Sequence, residues 1–155
     1  MTSKDIVLKL HRDRGRADAL SLRTKAAVGE ITDTEIIDSE EAIPDWSDKA
    51  DYRETPVGSP FRHGEQIYGL LVQHRPADYL DNAEPGTDAG KTLWRVKHTT
   101  NPKKAKPWVP PDSVNLYYAG ECMIWTDGKV KRALRTTNYS PDEYAPDWED
   151  VEVAN

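Results

Sequence analysis

A pattern of tryptophans and glycines occurs twice in this chain, and it constrains the fold more than any other feature. Trp46 is followed by Gly58 and Trp108 by Gly120, at the same interval, with Pro44 and Pro107 just before the two tryptophans. Each glycine leads into a strand-like run that reaches a second glycine. These are Gly64 in Arg62-His63-Gly64-Glu65 and Gly128 in Thr126-Asp127-Gly128-Lys129. Asp-Gly between alternating apolar residues is a strong hairpin signal, and His-Gly is a weaker one. Returning strands are expected over residues 66–71 and 129–134. Loops containing Pro85 and Pro146 then close on Trp94-Arg95-Val96 and Trp148-Glu149-Asp150-Val151. Five landmarks in one order, twice, predict tandem three-stranded antiparallel β-modules at residues 44–97 and 107–153.

Modules this small need unusual cores, because only 37% of the chain is apolar and 31% is charged. The five Trp and seven Tyr, against a single Phe, supply them. Each such ring has an apolar body and a polar edge that seeks a hydrogen bond. Trp46, Trp94, Trp108 and Trp148 stand at equivalent points of the pattern and, with Tyr68, form the expected aromatic core. Trp125 has no evident counterpart in the first copy and is expected to be exposed beside its hairpin. Tyr79, Tyr139 and Tyr144 are the aromatics expected in loops.

The N-terminal part reads differently. Residues 1–15 form a basic arm in which Ile6–Leu10 has the look of a short strand for a partner's sheet. Residues 16–43 predict two short helices. Ala17, Leu20, Ala27 and Val28 mark a helical face that ends at Gly29, and Thr32-Asp33-Thr34-Glu35 matches a capping box. The second helix must end near Ile43, because Pro44 disfavours helix in the residue before it. Neither helix can bury its apolar face alone, so both must pack on the β part or on sister chains. The lysine-rich residues 98–106 read as a linker with solvated charges. Charge is uneven: residues 1–25 hold seven bases and three acids, and residues 26–50 hold one base and eight acids. The net charge of −6 argues against nucleic acid as the main ligand.

The chain offers little for catalysis. Cys122, the single cysteine, falls inside a predicted strand and reads as a small buried hydrophobe. His63 and His74 flank the first hairpin with Glu65 as the nearest carboxylate, a thin basis for a metal site. The acids Glu30, Asp33, Glu35, Asp38, Glu40 and Glu41 read as a solvated helix face rather than a carboxylate pair in a cleft. Asp88-Ala89-Gly90-Lys91-Thr92 holds the tail of a phosphate loop without its first glycine. No apolar run is long enough to span a bilayer, and the N-terminus lacks the apolar stretch of a signal peptide. An enzyme is therefore not expected, nor a cofactor, a metal, a nucleic-acid ligand or a membrane anchor.

The β-pattern resembles the small chitin-binding (type 3) carbohydrate modules. The second copy carries the closer match: Trp108, Tyr117-Tyr118, Gly120-Glu121-Cys122, Gly128-Lys129-Val130, Pro146 and Trp148 with Val151. The first keeps Trp46, Tyr52, Gly58, Tyr68 and Trp94, with a long insertion before the closing Trp. The whole arrangement is similar to a family of bacteriophage tail and baseplate-associated proteins, through Leu22-Arg23-Thr24-Lys25-Ala26-Ala27 and Ile43-Pro44-Asp45-Trp46. That resemblance implies a non-enzymatic virion component of the tail tip, baseplate or a fibre. It would be assembled in the host bacterial cytoplasm with other virion proteins, as a homo-oligomer with a trimer favoured. Two alternatives stay open. One is a carbohydrate-binding module docking host cell-wall polysaccharide, for which Trp125, Tyr139, Tyr144 and Tyr79 are the stacking candidates. The other is a fibre decorating the capsid. The stacking pair usual after the returning strand of such modules is replaced by Gln73-His74-Arg75-Pro76 in the first copy and by residues 135–139 in the second.

Overall fold

The computed structural model describes residues 32–111 and 115–153; these residues are mainly β, forming a three-stranded and a four-stranded sheet with little helix. Helix α1 (Asp33–Asp38) opens on the expected capping box. The Thr32 hydroxyl accepts the Glu35 N–H at 3.2 Å, and a Glu35 carboxylate oxygen accepts the Thr32 N–H at 3.3 Å. The helix does not run to Ile43 as expected. It stops at Asp38, and Glu40–Ala42 make one 3-10 turn before Ile43, held extended by Pro44 (φ −87°, ψ 128°). The helix expected over residues 16–28 and the Ile6–Leu10 run lie outside the described residues.

The first sheet is β1 (Pro60–His63), β2 (Gln66–Leu70) and β3 (Trp94–Lys97), antiparallel and in that order. Its hairpin turns on Gly64-Glu65, with Gly64 at φ +58°, a conformation that glycine adopts without a Cβ clash. The second sheet is β4 (Lys106–Pro107), β5 (Cys122–Ile124), β6 (Val130–Ala133) and β7 (Trp148–Val151), also in that order. Strand β4 runs parallel to β5 and the other pairs are antiparallel. This sheet thus has four strands where three were expected, because the end of the supposed linker joins it. The second hairpin is one residue longer, closed by the Trp125 N–H on the Lys129 carbonyl at 2.9 Å.

The same anchoring bonds occur in both halves. The Trp46 N–H donates to the Arg62 carbonyl at 2.7 Å and the Trp108 N–H to the Ile124 carbonyl at 2.9 Å. The Gly58 and Gly120 N–H groups donate to the carbonyls of Leu70 and Ala133, both at 2.8 Å. A buried tyrosine hydroxyl accepts the N–H of the residue after each leading Trp: Tyr52 from Ser47 at 2.9 Å, Tyr117 from Val109 at 3.1 Å. Counting through these bonds gives Trp125 a counterpart after all, and it is His63. His63 meets Trp46 edge to face at 4.9 Å, as Trp125 meets Trp108 at 5.3 Å.

Each sheet has an aromatic core. In the first, Trp94 is buried among Tyr52, Phe61, Tyr68, Leu70 and Val96, with Trp46 packed against the cluster. Tyr52 meets Trp94 edge to face at 5.2 Å and 89°, the geometry that ring quadrupoles favour. In the second, Tyr117, Met123, Ala133 and Trp148 are buried, and Trp108 and Trp125 pack against them. Trp108 lies flat on Tyr117 at 5.1 Å and 6°.

The segment read as a solvated linker is clamped. Lys97 donates to Asp33 at 2.9 Å, Asn101 to Asp38 at 3.0 Å, and Lys104 lies 3.6 Å from Glu40, which also pairs with Lys106. Burial pushes the Glu40 carboxyl up, but its bonds to Lys106 and Lys104 outweigh this and hold it below its ordinary range. The acidic run is therefore not a merely solvated helix face. It brackets the lysine strip while Ile36, Ile37 and Ile43 pack on Ile67.

If the tyrosine hydroxyls are equivalent anchors, Tyr52→Phe and Tyr117→Phe should each cost about 1–2 kcal/mol of stability, since each leaves a backbone N–H unpaired. Urea denaturation of the two variants checks this. A loss at one position with none at the other would break the equivalence.

Candidate functional site: an exposed aromatic surface

The loop between β6 and β7 presents Tyr139 and Tyr144, 50% and 45% exposed, with ring centroids 6.2 Å apart and planes tilted by 51°. The turn holding them is built locally. The Ser140 N–H donates to a Glu143 carboxylate oxygen and the Glu143 N–H to the Ser140 hydroxyl, both at 3.1 Å. This is the reciprocal bonding of a capping box, in Ser140-Pro141-Asp142-Glu143. The Tyr144 N–H then closes on the Ser140 carbonyl at 2.9 Å. The turn is fastened to the core from beneath. The Trp148 indole N–H donates to the Tyr139 carbonyl at 2.9 Å, and the Thr137 hydroxyl donates to Asp147 at 2.7 Å. Arg135 Nε lies 2.8 Å from the other Asp147 oxygen. Two ring faces thus stand in solvent on a turn with little freedom, which lowers the entropy lost on binding.

The other sequence candidates are placed differently. Trp125, expected to be exposed, is half-buried, because its ring packs edge to face with Trp108 against the second core cluster. Tyr79 is exposed in the loop after β2, edge-on to His74 at 5.5 Å, and makes no ring contact with Tyr139 or Tyr144. Trp94, Trp148 and Tyr68 are buried, and Trp46 and Trp108 are half-buried against their clusters. His63 and His74 do not converge. His63 donates to Glu84 at 2.6 Å, whereas His74 sits in the core and donates through Nδ1 to the Val72 carbonyl at 2.7 Å. Among the described residues no group of three or more His, Cys, Asp or Glu is placed to hold a metal ion. Cys122 is a buried free thiol, and burial pushes its pKa up.

Several exposed apolar residues escape a reading of the sequence. Leu71 and Leu134 are 37% and 51% exposed at matching places, each donating its N–H to the residue before the closing Trp. Tyr118 is 46% exposed and Leu80 79%. Exposure of single apolar residues has no local signature, but the Ser140–Glu143 turn does. Its Ser-x-x-Glu spacing is that of Thr32–Glu35 and marks the rigid base of the tyrosine pair.

Two titratable groups lie where the halves meet. His98 stacks on Tyr117 at 3.8 Å and 18°, and burial lowers its pKa to about 4. Glu121 accepts the Tyr118 N–H at 2.6 Å, yet burial raises its carboxyl to about 7. No family model matches this sequence, and no curated protein matches it.

A carboxyl with a raised folded-state pKa holds its proton more tightly in the folded chain than in the unfolded one. Its destabilising effect is absent below about 4.5, grows as pH rises, and is complete above about 7. Glu121→Gln should therefore stabilise the protein more at about pH 8 than at about pH 4. Paired denaturation curves test it, and an equal effect at both pH values would refute it. His98 acts in the opposite sense: its contribution is full above about 6.5 and is lost as pH falls through about 4.

Proposed function

We propose that this chain is a non-enzymatic structural component of a phage particle, at the tail tip, baseplate or a fibre. In this reading residues 44–97 and 107–153 are tandem copies of one chitin-binding-like module. What supports the tandem reading is the recurrence of three anchoring bonds: Trp46 with Trp108 and Gly58 with Gly120 at one spacing, and the Tyr52 hydroxyl with that of Tyr117 in the same role at a different spacing. The virion assignment rests on the resemblance of residues 22–27 and 43–46 to tail and baseplate-associated proteins. The modules serve as rigid parts that present exposed apolar and aromatic surface to neighbouring virion proteins. Residues 1–31 carry the contacts that assemble sister chains, as a trimer. Helix α1 belongs to the module instead, since its isoleucines pack on Ile67.

A second reading is docking of host cell-wall polysaccharide, and the exposed Tyr139–Tyr144 pair favours it. An aromatic face stacks on the apolar face of a sugar because both shed water, while neighbouring polar groups meet the hydroxyls.

The two readings part in one set of measurements on the purified chain. The assembly reading expects an oligomer by light scattering, its loss on deletion of residues 1–31, and no retention on cell-wall polysaccharide. A monomer retained on polysaccharide, and released by Tyr139→Ala or Tyr144→Ala without loss of fold, would establish the second reading in its place.

A further inference from the structure

The loop between β2 and β3 is the insertion that separates the first half from the second, and it carries costs that its length does not explain. Asp81, Asn82 and Ala83 are three successive residues at positive φ (52°, 59° and 51°). Aspartate and asparagine enter this region more readily than other L-residues, but alanine does not, so the strain falls mainly on Ala83. Such strain persists where the surroundings impose it, and it gathers at sites with a task. Just beyond, the chain closes so tightly that a Cβ on Gly90 would lie 2.1 Å from the Glu84 carbonyl oxygen.

The result is a cleft of about 320 Å³ between the halves. Trp94 and Val96 line it from the first sheet, and Val109 and Pro110 from the segment after the second leading Trp. Tyr68 is 7% exposed, and its hydroxyl faces this cleft beside Gly86, where a Cβ would stand 2.7 Å from the hydroxyl oxygen. Among the described residues nothing hydrogen-bonds that hydroxyl. The hydroxyl opens on the cleft, so a ligand there can exchange water for a direct hydrogen bond to it. At the rim stand two opposite charges, Lys91 and Asp88, 4.0 Å apart and with side chains 58% and 103% exposed. That contact is too loose and too wet to hold either charge.

We propose that this cleft binds an aromatic α-amino acid as its zwitterion. The carboxylate meets Lys91, the ammonium meets Asp88, and the ring enters the apolar space with a polar edge toward the Tyr68 hydroxyl. The opposite charges at the rim select a net-neutral ligand that carries both signs on adjacent atoms. The lone inner hydroxyl selects a ring with one hydrogen-bonding group. A cleft of this volume takes one amino-acid ring and its backbone groups. The site is independent of the virion and polysaccharide readings, since it uses neither residues 1–31 nor the tyrosine pair.

L-tryptophan is the probe, titrated into the full chain and followed by the amide signals of Gly86 and Thr87 and the indole signal of Trp94. Saturable shifts in the millimolar range are expected at these positions. Tryptamine lacks the carboxylate and indole-3-propionate lacks the ammonium, and each should bind at least about tenfold more weakly. Lys91→Ala should weaken binding of tryptophan but not of tryptamine. Tyr68→Phe keeps the ring in the core, and it should weaken binding of tryptophan but not of 1-methyltryptophan. No saturable shift by about 20 mM, or equal weakening of both ligands by either variant, would overturn the proposal.

Discussion

A backbone N–H donated to a buried tyrosine hydroxyl holds each half of this protein together. Ser47 and Val109 follow the leading tryptophans, and their N–H groups end on Tyr52 and Tyr117. A hydroxyl inside an aromatic cluster must find a partner, and so must an N–H in a segment with no strand beside it. Each solves the other's problem. The bond fixes where the leading segment crosses the sheet, and so where Trp46 and Trp108 can lie. With those placed, His63 and Trp125 are the residues left to meet their rings edge-on. Burial of Tyr117 pushes its pKa well up, so the hydroxyl stays neutral.

The two halves are joined by charge as much as by packing. Acids of α1 and of the turn after it, and lysines from the end of β3 to the start of β4, come from stretches that the sequence keeps some 60 residues apart, and they meet around Asp33 and Glu40. Such pairs are worth little in open solvent, but here the partners are partly shielded and lie beside four packed isoleucines. The strip then continues into β4, and the Cys122 N–H closes on the Thr99 carbonyl at 2.7 Å. His98 and Glu121 sit in this junction, where burial disfavours the charged form of each.

The two halves differ most in their loops. They share anchors, hairpins and closing tryptophans, but they part in the loops after the returning strand. The second half makes a short capped turn that lifts Tyr139 and Tyr144 into solvent. The first makes a long insertion with left-handed backbone, buried His74 and a cleft against the other half. A common frame with divergent loops leaves the core unchanged while the surface varies.

Much of this was legible before any coordinates. Spacing alone located both hairpins, both closing tryptophans and the capping box at Thr32, because turns, caps and strand alternation are set by residues close in sequence. The aromatic core was legible for the same reason, since Trp and Tyr have few other places to go in so small a sheet. What the sequence left open depends on approach between distant segments. Trp125 and His63 are equivalent only through hairpins of unequal length, and no local pattern reveals that. The lysine strip looks like a linker until α1 lies against it, because a charge's partner is decided by folding and not by its neighbours in the chain. The tyrosine pair, the strained turn and the cleft beside Tyr68 belong to tertiary structure in the same way. Exposure and cavity are properties of the space between segments, and a one-dimensional pattern does not contain them.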